Sequence, residues 1–210
     1  MTLYEHVLLP DFSGQVREDI KRFLLCNQKQ ETFKHVTGVE KACREIAEQY
    51  RLEKEICGVA ALLHDISAVV PPEDMLLYAR QNELLLDGAE EKHPFLLHQR
   101  ISRVITEELF HIRCGAVLSA VECHTTLKKD PSPYDMALFL ADKLCWDQQG
   151  VPPFYEVLKE SLAVSLEKAS LDYIEYVMGH GMILHPHSWL LAARADLKNK
   201  VQGKAPAAQG

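Results

Sequence analysis

The chain has no apolar stretch long enough to span a membrane, which excludes a helical membrane protein on length alone. It has no excess of basic charge. The formal net charge of −7 excludes a duplex nucleic-acid binder that works through a broad basic face. It has no C-x-x-C pair among Cys26, Cys43, Cys57, Cys114, Cys123 and Cys145. The opening MTLYEHVLLP lacks the charged region and long apolar run of a secretory signal. Scattered thiols without a signal point to a reduced, cytoplasmic protein with no membrane partner. No segment alternates with period two for long enough to make a strand, and no internal repeat is visible. These absences leave an all-α chain in which 47% hydrophobic residues are enough for a core of ordinary size.

The helical spacing is clear. Val16, Ile20, Phe23 and Leu24 form one stripe over 13–27, with Ser13 as its cap. Val36, Val39, Cys43, Ile46, Ala47 and Tyr50 form another over 32–50. Residues 53–67 are apolar nearly all round, the mark of a central helix. Further helices are expected over 72–82, 94–110, 112–126, 132–146 and 154–178, with Pro133 opening the one over 132–146. The expected organisation is an irregular lead-in over 1–12, one all-α domain over 13–198 with a C-terminal helical extension, and a disordered tail over 199–210.

Ten histidines are present, and their positions matter more than their number. The run ALLHDIS at 61–67 interrupts the most apolar segment with His64 and Asp65. His98 lies on the stripe of Leu97, Ile101 and Ile105. His124 lies on the stripe of Val117, Ala120 and Val121. Asp142 shares a face with Leu138, Phe139 and Cys145, and His35 opens the helix before the HD pair. A buried histidine can be satisfied by one hydrogen bond. A buried carboxylate is harder to keep, because without a cation or strong donors it costs several kcal/mol. Four such histidines and two such aspartates have one economical solution, a shared divalent metal. Imidazole with carboxylate suits Fe, Mn, Co, Ni or Zn better than Ca or Mg. Asp65 has two oxygens and could bridge two ions, which together activate a water and polarise a phosphoryl oxygen.

The order His35, His64-Asp65, Asp142 resembles the signature of the HD-domain metal-dependent phosphohydrolases. The stretches HVTGVEKACREIA, AALLHDIS, LLH, ECHTT and LFLADKL, within roughly residues 20–150, are similar to the bacterial symmetrical diadenosine tetraphosphate hydrolases. The resemblance implies an HD-domain helical bundle with a dinuclear centre, iron foremost. It implies His35, His64, Asp65 and Asp142 on the first metal, and Asp65, His98 and His124 on the second, with Asp65 catalytic. It also implies a dinucleoside polyphosphate substrate that is split into two nucleoside diphosphates. The chain departs from the family at Ala68, where a lysine is frequent, and in the run HQRISR after His98. The departures fall in the substrate shell, and the cage is intact. Arg100 and Lys128 are the candidate phosphate contacts. A nucleotide-binding protein without turnover and an HD-type di-iron oxygenase are the alternatives, and a homodimer is compatible with either. The cluster HGMILHPH, with His180, His185 and His187, reads as a surface turn.

Overall fold

The structure, a computed structural model, describes residues 3–145 and 150–203. Trp146, in the bulky segment after Asp142, lies outside the described residues. Among those residues there are eleven α-helices and no strand. They are α1 (Val16–Cys26), α2 (Gln30–Tyr50), α3 (Lys54–Leu63), α4 (Pro72–Gln81), α5 (Gly88–Lys92), α6 (His98–Glu108), α7 (Gly115–Cys123), α8 (Pro133–Leu144), α9 (Tyr155–Leu162), α10 (Leu166–Gly179) and α11 (Ser188–Gly203). Short 3-10 helices cover Ile66–Val69 and Pro94–Leu97. No single helix among them is long and apolar enough to cross a membrane.

Helix α3 is the centre of the bundle. It packs against α2, α7 and α8, and its Cys57, Ala60, Ala61, Leu62 and Leu63 are all buried. At Gly58 the Arg44 guanidinium from α2 lies in the space a Cβ would take. Helix α6 flanks α7, and α10 joins α8 to α9 and α11. Phe139 of α8 and Phe154 meet Tyr173 of α10 edge-on, at 5.3 and 4.9 Å between ring centroids, so the C-terminal helices are seated on the core.

Caps set several boundaries. Ser132 and Asp135 form a reciprocal capping box at the start of α8, and Asp87 and Glu90 form another at α5. Arg51 closes α2 in the left-handed conformation. Asp19 gathers the lead-in before α1, accepting from Ser13 N, Ser13 Oγ and Gly14 N at 2.8 Å each.

Gln15, with no side-chain cap bond, stands at the N-cap of α1 in place of the expected Ser13, and the structure departs from the spacing in four further places. The expected helix over 154–178 is two helices, because Ser165 caps a new start by accepting from Lys168 N at 3.0 Å. Helix α5 is too short to leave a periodic signal. In place of the disordered tail expected from 199, α11 continues to Gly203 with Leu197 buried, and residues 204–210 lie outside the described residues. The expected helix over 53–67 stops at Leu63, and this last difference shapes the site.

Candidate metal centre

The HD pair stands at a helix break. His64 caps α3, and Asp65 bridges α3 to the 3-10 helix Ile66–Val69. The break is held from across the chain. Ser67 Oγ donates to the His98 carbonyl at 2.8 Å, and Ser67 N donates to Ser102 Oγ at 3.2 Å. His124 in turn caps α7, and His98 begins α6 directly after the 3-10 helix Pro94–Leu97. All three histidines therefore sit just past the end of a helical segment, His64 after α3, His124 after α7 and His98 after the 3-10 helix Pro94–Leu97.

Each uses a carbonyl of that segment in the same way. His64 Nδ1 lies 2.7 Å from Ala61 O, His98 Nδ1 2.7 Å from Phe95 O, and His124 Nδ1 2.9 Å from Val121 O. A carbonyl only accepts, so each Nδ1 carries a proton, and in the neutral ring Nε2 keeps the lone pair that a metal ion would use. Metal-binding histidines are oriented by this kind of bond.

The Nε2 atoms of these three rings and of His35 face two carboxylates, and that of His98 also lies 3.0 Å from Thr125 Oγ1. His35 Nε2 lies 3.1 Å and His64 Nε2 3.5 Å from Asp142 Oδ1. Asp65 Oδ2 lies 3.5 Å from His64 Nε2 and 3.9 Å from His35 Nε2. Its other oxygen, Oδ1, lies 3.4 Å from His124 Nε2 and 3.5 Å from His98 Nε2. Asp65 thus stands between two halves of one cage, and the structure brings all six predicted ligands together.

The donor set fits a cation. His98 Nε2 and His124 Nε2 are 3.0 Å apart with both Nδ1 protons committed to carbonyls. Two lone pairs at that distance repel unless a positive charge lies with them. His64 Nε2 is fully buried and has no hydrogen-bond partner. The ligand atoms of His35, His64 and Asp142, and those of His64, Asp65 and His124, form two groups that could each hold an ion.

The electrostatics describe the same need. Burial pushes the His64 imidazole down, but Asp65 and Asp142 outweigh it and raise its pKa to about 9. His124 falls to about 4, because burial outweighs its bond to Asp65 and the charges of His64 and His98 add to the effect. Burial also works against ionised Asp65, yet His64, His124 and His98 hold it far below the usual carboxylate range. The carboxylates remain charged and attract whatever cation is available.

The cage opens on a hollow of about 240 Å³, lined also by Thr125, Lys143, Cys145, Phe154 and Tyr173. Lys143 is the charged side chain in this wall that the stripes did not reveal. Its Nζ donates to Asp142 Oδ2 at 2.6 Å. The only sequence signal for it was its place beside Asp142 in LADKL.

The two predicted phosphate contacts are not there. Arg100 Nη1 donates to both Glu90 oxygens, at 2.9 and 3.2 Å, and to Leu85 O at 3.0 Å. Lys128 Nζ lies 3.9 Å from Glu122 Oε2. Neither lines the hollow. The expected surface turn at 180–187 is also only half right. His187 is buried, its Nδ1 accepting from Trp189 N at 3.1 Å and its Nε2 3.5 Å from Glu90 Oε1.

The HD domain model matches residues 32–147, a span that contains every cage residue. An uncharacterized protein of Lactococcus lactis subsp. cremoris, from the pepC 5′ region, is 38% identical over 151 residues, covering 71% of this chain and 76% of its own. A symmetrical bis(5′-nucleosyl)-tetraphosphatase of Halalkalibacterium halodurans is 24% identical over 160 residues, 73% of this chain and 83% of that one. A Mycoplasma genitalium protein named a probable nicotinate-nucleotide adenylyltransferase/Ap4A hydrolase is 26% identical over 112 residues, 53% of this chain but 31% of that one. A solved Clostridium acetobutylicum protein, described as a predicted HD superfamily hydrolase involved in NAD metabolism, shares the fold. Its TM-score is 0.75 at 24% identity, over 87% of this chain and 97% of that one. The chain belongs to the HD-domain family.

Proposed function

We propose that this protein is a metal-dependent nucleotide phosphohydrolase. Its substrate is a dinucleoside polyphosphate such as diadenosine tetraphosphate, cleaved into two nucleoside diphosphates. The observation that carries the reading is the cage itself, six imidazole and carboxylate ligands opening on a hollow whose wall includes Lys143. His35, His64, Asp65 and Asp142 would hold one ion, and Asp65, His98 and His124 a second, with iron the first candidate. Such a pair supplies an activated water and a Lewis acid for a phosphoryl oxygen.

The rest of the work falls to the chain. The three Nδ1 to carbonyl bonds fix the imidazole planes, so the ligands need no rearrangement. Lys143 carries a positive charge that burial opposes and Asp142 sustains. At the edge of the hollow it holds a non-bridging phosphate oxygen and offsets charge that builds there. The relatives named for tetraphosphate hydrolysis support this substrate class.

The test is product analysis. Protein loaded anaerobically with Fe or Mn should convert diadenosine tetraphosphate to ADP alone. ATP with AMP would contradict symmetrical cleavage. Binding without turnover across dinucleoside polyphosphates, mononucleotides and cyclic nucleotides would overturn the hydrolytic reading, as would product formation that requires oxygen.

A further inference from the structure

A second hollow, of about 340 Å³, shares Thr125, Lys143 and Tyr173 with the hollow at the cage. Its other walls are mostly apolar and come from Pro94–Leu97, the 182–187 segment and Leu190 of α11. Three large apolar side chains around it stay exposed: Phe95 at 54%, Met182 at 45% and Leu184 at 82%. One exposed apolar residue needs no explanation, but three around one hollow mark a surface that a ligand covers.

The aromatic one is tied to the cage. The Phe95 carbonyl accepts from His98 Nδ1, and its ring lies 14° from parallel with the His98 imidazole, at 6.5 Å between centroids. Any flat group lying on Phe95 is therefore held in register with the metal ligands. The polar exception sits in the same wall. His93 Nε2 and His185 Nδ1 are 3.0 Å apart, so one donates to the other. That leaves the second nitrogen of each ring able to meet the edge of a heterocycle. A hollow with apolar faces and a few placed polar groups is the usual form of a small-molecule subsite.

We infer that this hollow binds a nucleobase of the substrate, stacked on Phe95 beneath the Met182 and Leu184 segment, with its polar edge toward the His93–His185 pair. The inference rests on the phosphohydrolase reading for its phosphate end, since Lys143 in the shared wall places phosphate next to the base. It also gives the C-terminal extension a role, because α11 and the segment before it form one wall of the subsite.

Calorimetry on metal-loaded protein tests it separately from turnover. ADP and inorganic pyrophosphate are the probes. ADP should bind more tightly than pyrophosphate. Phe95→Ala should weaken ADP by about tenfold or more, the scale of one lost stacking contact, and leave pyrophosphate unchanged. His185→Ala, at an exposed position that folding does not need, should weaken ADP alone. Equal affinity for the two probes would overturn the inference, as would an ADP advantage that survives both substitutions. An alkyl diphosphate binding more tightly than ADP would show that the hollow takes a chain and not a base. Absence of turnover by the wild type would count against the hydrolase reading and leave this comparison of affinities to decide the subsite.

Discussion

Arg100 grips both oxygens of Glu90, a carboxylate with no exposed surface. Removing the guanidinium strands a buried negative charge and loosens α5 from α6. Arg100→Ala should cost about 3 kcal/mol and lower the melting temperature by roughly 6–12 °C. KM for the nucleotide should stay near the wild-type value. A large rise in KM with unchanged stability would return Arg100 to the substrate.

Glu90 also gives the fold an acid limit. Burial pulls its carboxyl up, but His187, the Asp87 N–H and Arg100 outweigh burial and hold it below its ordinary 4.5. The unfolded chain therefore takes up this proton at a higher pH than the folded one. The stabilisation is complete above 4.5 and disappears as pH falls through the lower folded value. Urea unfolding between pH 6 and 3 should show this slope, and Glu90→Gln should flatten it.

Lys143 lines the hollow at the cage with its ammonium on Asp142, where the proposed reaction would use it on phosphate. Lys143→Met should lower kcat/KM by about a hundredfold while the metal content is kept. Lys143→Arg should recover part of the loss. Full activity in the methionine variant would remove Lys143 from the site.

Ser67 fixes the break that aims the HD pair, through its bonds to His98 O and Ser102. Ser67→Ala should weaken metal binding by about tenfold, as loss of a support behind a ligand does. Competition with a chelator measures it, and an unchanged metal affinity would show that packing alone sets the break.

The cage was legible because buried charge is costly. His64, His98, His124, Asp65 and Asp142 each interrupt an apolar stripe, and only a cation removes the penalty on all of them. Their conformation was less legible. The stripe over 53–67 runs straight through Asp65, yet the helix stops at Leu63 because Ser67 is held by residues of α6. Within the exposed-looking HPH, His187 is buried for a similar reason, as it meets Glu90 from a distant short helix. Arg100 carried no sign in the sequence that its partner was Glu90. Spacing along one helix shows which face is inward, but not which distant side chain it meets.

Asp65 offers one oxygen to His35 and His64 and the other to His98 and His124, as a carboxylate joining two metal sites would. Metal analysis of protein loaded anaerobically with Fe or Mn, beside its Asp65→Ala variant, decides whether it does so. Roughly two ions per chain are expected in the wild type, as a bridging carboxylate in a two-metal site allows. The variant should lose metal, with turnover down by a thousandfold or more, roughly the several kcal/mol such a centre supplies. A wild-type protein that binds no metal after loading, or a variant that keeps its full complement, would contradict this bridging role.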